Sequence, residues 1–305
     1  MNVHSNLFLQ QIANGVTIGM IYALIALGYT MVYGILQLIN FAHGEVFMVG
    51  AYLGLLIYGL LSHFSSVPSG SPLVVLTLVL SMAGTAALGV TVERFAYRPL
   101  RNAPRLAPLI TAIGVSFFLQ NAVMLIFGPS DKSFPQIVKV QNYSWGTVTF
   151  TNLQILIAAA SIVLMISLHL FIKNTQAGKA MRALADDFTA ARLMGIHSDR
   201  IISLAFLIGS ALAGAGGVMF GMYYNTINFH DGYLMGLKAF AAAVLGGIGN
   251  IPGAMVGGLL IGILESLGAG YLSSEWKNVF AFFVLILILL FRPSGLLGSR
   301  VVKKV

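Results

Sequence analysis

Residues 152–172 read NLQILIAAASIVLMISLHLFI, twenty-one positions without a single Asp, Glu, Lys or Arg. A helix needs about 20 such residues to cross a ~30 Å hydrocarbon core. The run is continuous and rich in Leu, Ile and Ala, whereas a strand of a bilayer barrel alternates polar and apolar residues over about ten positions. Working outward, comparable stretches lie at 11–33, 45–62, 72–92, 107–128, 201–222, 237–247 with 253–270, and 276–292. Across the 305 residues, 58% are hydrophobic and 9% charged. An ordinary soluble domain carries about 25% charge. The mean hydropathy is +0.89. The chain is therefore an all-α polytopic membrane protein with about 8–9 crossings, one of them broken. Disorder, a soluble enzyme fold and a single-anchor peripheral protein are excluded.

There is no cysteine, so disulfides and thiolate chemistry are excluded. The net charge of +8 is concentrated. Arg94, Arg98, Arg101 and Arg105 share one loop; Lys173, Lys179, Arg182, Arg192 and Arg200 share the longest polar segment; Arg292, Arg300, Lys303 and Lys304 lie near the C-terminus. Basic excess marks cytoplasmic loops, which places these three regions and the C-terminus inside. Lys132, Lys139, Lys238 and Lys277 are then expected outside or near the outer interface. So are the polar loop 62–72 and the segment 129–151, whose Tyr143 and Trp145 suit an interface. Residues 1–93 contain no Lys or Arg, and an uncleaved first helix is expected. A nucleic-acid surface would need one contiguous basic face or interleaved aromatics, and neither is present.

A short self-similarity runs through the chain. Ile39-Asn40-Phe41-Ala42-His43-Gly44, followed by Glu45, has a counterpart in Ile227-Asn228-Phe229-His230-Asp231-Gly232. Gly89-Val90-Thr91-Val92-Glu93 has a rougher one in Ile261-Gly262-Ile263-Leu264-Glu265. With 152–172 as a fifth helix between them, the two copies have opposite orientation: an inverted repeat, nine crossings, N-terminus outside. Chance similarity of two short polar breaks is the competing reading. Asn40, His43, Glu45, Asn228 and Asp231 are candidates to line a path, because ionisable groups at membrane depth face a bundle interior or a watery cavity. Helix capping explains the same residue types, and the two roles are compatible.

Gly246-Gly247-Ile248-Gly249-Asn250-Ile251-Pro252-Gly253 interrupts an apolar stretch. Irregular backbone at that depth needs shielding by protein, so 237–247 is expected to be a half-helix that turns back. Gly253, Gly257, Gly258 and Gly262, and Gly209, Ala213, Gly214 and Gly217, offer small-residue faces for close packing.

Segment 173–200 is too polar to insert. Met181, Leu184, Ala185 and Phe188 share one helical face. Asp186 and Asp187 are placed to cap a short helix from Phe188 to Met194, which Gly195 would end; Ser198 or Asp199 would cap the next span. A firm projection of this kind suits docking, with Asp186, Asp187, Phe188, Ala191, Arg192, Leu193, Met194 and Gly195 as the coupling residues. A helix lying on the lipid surface is the alternative. No P-loop, G-x-G-x-x-G, His-Glu-x-x-His or G-x-S-x-G pattern occurs, and the six histidines show no metal-ligand spacing. No catalytic residue, metal or cofactor is expected in this chain, and any ATP hydrolysis belongs to another subunit. An ion-coupled carrier is the rival class, with Glu45, Glu93, Asp231 and Glu265 as its carboxylates.

Leu38 to Glu45, Tyr97-Arg98-Pro99-Leu100-Arg101, Ala103 to Ile110, Arg182 to Ile196 and Lys238 to Gly249, in that order, resemble the LivH-type permeases of bacterial branched-chain amino-acid ABC importers. The resemblance covers essentially the whole chain. It implies a type II importer permease of the inner membrane, 1–305 as one transmembrane unit with 173–200 as its coupling loop. It also implies a second, LivM-like permease, two cytoplasmic ATPase subunits and a periplasmic binding protein as partners. Related permeases carry urea, short amides or other amino acids.

Overall fold

The computed structural model describes residues 3–63, 70–101, 103–104, 106–292 and 294–298. Arg105, Arg300, Lys303 and Lys304 of the basic clusters, and Ser65, Ser66, Pro68 and Ser69 of the polar loop, lie outside these. The described helices are α1 (Val3–Leu36), α2 (His43–Ser62), α3 (Ser71–Val92), α4 (Leu106–Phe127), α5 (Asn152–Asn174), α6 (Gln176–Asp186), α7 (Phe188–Leu193), α8 (Ser198–Tyr224), α9 (Asp231–Gly246), α10 (Ile251–Tyr271) and α11 (Lys277–Phe291). Seven are long and apolar enough to cross a membrane: α1, α2, α3, α4, α5, α8 and α10. The sixteen residues of α9 and fifteen of α11 are shorter. At 1.5 Å per residue these reach about 22–24 Å.

Helix α1 is the axis of the bundle; its stretch Met20–Leu27 is almost wholly buried. Helices α4 and α5 lie at the rim, where Phe117, Phe118, Leu125, Ile126 and Val163 are exposed, as a lipid-facing surface requires. Helix α3 continues past Val92 through a π-helical turn, Glu93–Tyr97, and a 3-10 turn, Arg98–Leu100. Pro99, which cannot donate to a helix ladder, sits in that last turn.

At the opposite end the segment between α4 and α5 is not a plain loop. Strand β1 (Lys132–Ser133) pairs with β4 (Thr226–Ile227), and β2 (Asn142–Trp145) pairs with β3 (Val148–Thr151), both antiparallel. Phe134 is buried, and its N–H bonds the Asn225 carbonyl at 3.0 Å. Gln10 of α1 exchanges two hydrogen bonds of 2.9 Å with the Thr149 backbone, so the start of α1 lies at this end.

The two copies of the repeat match in backbone detail. Among the described residues, only Gln37 (φ 52°) and Asn225 (φ 57°) are non-glycines at positive φ. Each stands three positions before the Asn of its copy. Each N–H caps the preceding helix, on Tyr33 at 2.7 Å and Gly221 at 2.9 Å. A left-handed non-glycine costs about 1–2 kcal/mol, so its recurrence at matching places is no accident of composition. The first copy turns beside Arg98 and Arg101, the second beside Phe134, at opposite ends of the bundle. The repeat is inverted. Packing follows it: α1 lies chiefly against α10, and α8 against α3.

Helix α9 begins at Asp231, six positions before the half-helix expected at 237–247, because the Asn228 turn starts it. It then reverses into α10 through Gly247 (φ 104°) and Gly249 (φ 91°), angles that L side chains rarely adopt. Asn250 caps α10 by accepting from Gly253 N at 3.0 Å, and Pro252 sits in the first turn where no donor is needed. The hairpin is tight: a methyl added at Gly246 would lie 1.9 Å from the Gly253 carbonyl oxygen, and one at Gly257 2.0 Å from that of Ala242. Residues 296–297 extend it, with Leu296 N on Leu245 O at 2.8 Å and Leu297 N on Gly246 O at 3.0 Å.

Candidate functional site

The two polar breaks open helices that meet inside the bundle. Asn40 Oδ1 accepts from Ala42 N at 3.1 Å and His43 N bonds Asn40 O at 3.1 Å. Asn228 Oδ1 accepts from His230 N at 2.8 Å and Asp231 N bonds Asn228 O at 3.1 Å. Both asparagines thus make the same local turn. The openings touch directly: a methyl at Gly44 would lie 2.3 Å from the Gly232 carbonyl oxygen. Two helix starts, one running toward each end, therefore converge inside the bundle.

The side chains around this point differ in what they are free to do. Asn40 is buried and also accepts from Tyr97 Oη at 2.6 Å. His43 is buried beside Gly28; its Nε2 lies 3.2 Å from the Ile25 carbonyl, and Tyr29 meets its ring edge-on. Glu45 is 1% exposed, and its Oε1 accepts from Ser116 Oγ at 3.2 Å while Oε2 has no partner. Asp231 Oδ2 accepts from Asn228 N at 2.7 Å, and Asn228 Nδ2 donates to Asp131. Asn228, Asp231 and Asp131 border a cavity at the β-strand end; Asn40, His43 and Glu45 are packed within helices.

Lys238, in a segment expected outside or near the outer interface, is buried inside the bundle. It is 0% exposed, its Nζ 2.8 Å from Glu265 Oε1 and 3.4 Å from Tyr22 Oη, which donates to Glu265 Oε2 at 2.8 Å. A lysine survives at this depth because a carboxylate from the next helix compensates it. The partners are 27 residues apart on α9 and α10, so no helical spacing announced them. Glu93 is likewise paired, accepting from Arg101 and from Ser203 Oγ at 2.6 Å. Of the four carboxylates named for ion coupling, Glu93 and Glu265 are thus committed to basic partners.

At the basic end, α5, α6 and α7 form a stiff projection. Thr175 caps α6 by accepting from Gly178 N at 3.0 Å, and Arg182 Nη1 bonds the Ile172 carbonyl at 2.7 Å. Asp187 breaks the chain and starts α7, its Oδ1 accepting from Thr189 N and Ala190 N at 2.9 Å each. Gly195 at φ 84° closes it, with Gly195 N on Arg192 O at 3.0 Å and Ile196 N on Ala191 O at 3.1 Å. Three details differ from the sequence expectation. Asp186 ends α6 instead of capping α7. Ala185 is exposed and Phe188 lies on the next helix, because the Asp187 break ends the shared face at Leu184. Neither Ser198 nor Asp199 caps α8; Asp199 is drawn into ion pairs with Arg98 and Arg101, fastening the α3 extension to α8.

Ala191 packs inward, while Leu193 and Met194 are each 83% exposed at the tip and Arg192 lies 6.0 Å over the Phe188 ring. Beneath the projection runs a cleft of about 510 Å³ lined by Leu36, Arg98, Arg101, Asp186, Phe188 and Arg192.

An inverted-repeat helical bundle with a hairpin-broken helix, converging helix starts and a capped projection at its basic end defines a multi-pass transport permease. The family model described as branched-chain amino acid transport system / permease component matches residues 11–289, and the chain belongs to that family. It is 49% identical over 304 residues to the high-affinity branched-chain amino acid transport system permease protein BraD of Pseudomonas aeruginosa, covering 98% of each chain. It is 48% identical over 305 residues to LivH of Escherichia coli K12, again covering 98% of each. A more distant likeness, 26% over 307 residues, is to the LivM permease protein of the same organism, with 92% of this chain and 68% of that one covered.

Proposed function

We propose that this chain is the LivH-type permease subunit of an ATP-driven importer that carries leucine, isoleucine and valine across a bacterial inner membrane. The observation that carries this reading is near-half identity, end to end, with relatives named as branched-chain amino-acid permeases. Residues 1–305 act as one transmembrane unit, with 173–200 as the coupling loop. The likeness to LivM supports a partner permease of that kind, packed beside this chain with the path between or within the two. Two ATPase subunits supply the energy from the cytoplasm, and a periplasmic binding protein delivers solute to the β-strand end. Helix α7 is the docking element: its capped ends hold it rigid, and its apolar tip of Leu193 and Met194 seats in an ATPase groove. Closure of the ATPase pair moves α7, and α6 and α8 pass that movement to the bundle. The basic clusters support a cytoplasmic location for this end and for the C-terminus.

Affinity purification of the tagged chain from its native membrane in mild detergent tests the assembly. Co-purification of ATPase subunits and a second permease is expected, and the reconstituted complex should take up leucine only with ATP and binding protein. Uptake of leucine by vesicles containing this chain alone would overturn the reading.

A further inference from the structure

At the β-strand end, where α8, α9 and α11 converge, lies a cavity of about 330 Å³. Asp131, Asp231, Lys238 and Lys277 border it, and Phe220, Leu234 and Met235 provide apolar wall. Its size is at the small end of ligand sites, which suits one small solute.

Of the charges around it, Lys238 is compensated by Glu265, and the others are not paired with one another. Lys238 is buried behind this wall, 2.8 Å from Glu265, and so is not free to bind a ligand. Asp131, Asp231 and Lys277 form no ion pair among the described residues. The two carboxylates are instead held together by one residue: Asn228 donates to Asp131 through Nδ2 and to Asp231 through its backbone N–H at 2.7 Å. A pair of acids and a separate cation, bordering one cavity with an aliphatic and aromatic wall, complement a ligand that carries both charges and an apolar side chain. A neutral amide would leave all three charges uncompensated. A simple cation would leave Lys277 without a counter-charge.

We propose that this cavity is a binding station for a zwitterionic α-amino acid within the permease itself. Asp131 and Asp231 receive the ammonium, Lys277 receives the carboxylate, and Phe220, Leu234 and Met235 cover the side chain. Asn228 is a positioning residue for the acid pair. The proposal rests on the importer reading given above and adds to it a subsite in this subunit.

The test uses the complete permease–ATPase complex in detergent without binding protein, so that a delivering protein's own selectivity does not intervene. Radiolabelled leucine should bind saturably. In the same protein, leucinamide, which lacks the carboxylate, and 4-methylpentanoate, which lacks the ammonium, should each compete at least tenfold more weakly than isoleucine. Lys277→Gln and Asp231→Asn should each weaken binding at least tenfold, with Lys277→Arg restoring most of it in complexes of unchanged size. Absent saturable binding, equal competition by either analogue, or unaltered binding in both variants would overturn the station. The competition arm needs no variant, so it stands even if a substitution prevents assembly. Failure of the importer reading is separable: the wild-type complex with its binding protein would then take up none of the three branched-chain amino acids.

Discussion

Lys238 and Glu265 stand on facing helices at a depth where neither charge is stable alone. A single Lys or Asp at the centre of an inserted helix costs about 2.5–3.5 kcal/mol, and an orphaned member of a buried pair about 3–5 kcal/mol. The 2.8 Å contact between them, with Tyr22 on the second carboxylate oxygen, offsets that cost. Stability should therefore respond to the balance of the pair more than to either charge. Lys238→Met or Glu265→Leu alone is expected to lower the thermal midpoint of the purified permease in detergent markedly, and the double substitution to recover most of the loss. Additive losses in the double variant would show that each side chain acts through packing alone. This pair also shows where a single sequence stops being legible. Asp187, Gly195 and the paired Asn-Phe breaks are local signals whose capping and turn hydrogen bonds lie within four residues, and those turns could be read directly. Lys238 meets partners from two other helices, so its burial and its pairing were hidden in the sequence.

At the scale of elements, close helix packing here is achieved by bringing backbone onto backbone. Gly257 has the Ala242 carbonyl 2.0 Å from where its Cβ would stand, whereas Gly114 on rim helix α4 has open space. Gly257→Ala should push α9 and α10 apart and reduce the yield of folded permease. Gly114→Ala should be neutral or stabilise by up to ~1 kcal/mol through helix propensity. Thermal unfolding of the two variants side by side separates these outcomes; equal behaviour would remove the hairpin's close approach as a stabilising feature. The projection obeys a different rule. Around Gly195 there is room for a side chain, and only its φ of 84° resists one. Gly195→Val should distort the α7–α8 link at a cost of about 1–2 kcal/mol, and Gly195→Asn, which tolerates that angle, should not. We expect Gly195→Val and Arg192→Ala to leave membrane insertion intact while ATP hydrolysis by the assembled transporter no longer drives uptake. Coupled uptake at wild-type level in both would remove α7 from the coupling role. Most span ends were legible to within about three residues because length and hydropathy suffice, but α1 starts at Val3, well before the expected residue 11. The early start of α9 was hidden, because a polar turn inside the bundle looks in sequence like a loop at its edge.

For the whole molecule, the inverted repeat turns a local likeness into a statement about sidedness. Gln37 and Asn225 end equivalent helices at opposite ends of the bundle, so a probe that reaches one end should not reach the other. The chain contains no cysteine, and a single introduced thiol is therefore an unambiguous reporter. Ser144 on β2 and Thr189 on α7 are both exposed and bear no part of the packed core. With the basic end in the cytoplasm, Ser144→Cys should react with a membrane-impermeant maleimide added to spheroplasts, and Thr189→Cys should react only in inverted vesicles or after permeabilisation. The physical reason is an asymmetry of charge among the described residues: the Arg94–Arg101 turn, the α6–α7 projection and Arg292 gather at one end, and the β-strand end has Lys132, Lys139, Lys277 and the Glu265-paired Lys238. Labelling of both positions from the same side would mean that the two halves of the repeat share one orientation in the membrane. That would remove at once the crossed packing of α1 on α10 and α8 on α3, the convergence of the α2 and α9 starts, and the sidedness that a directional importer requires.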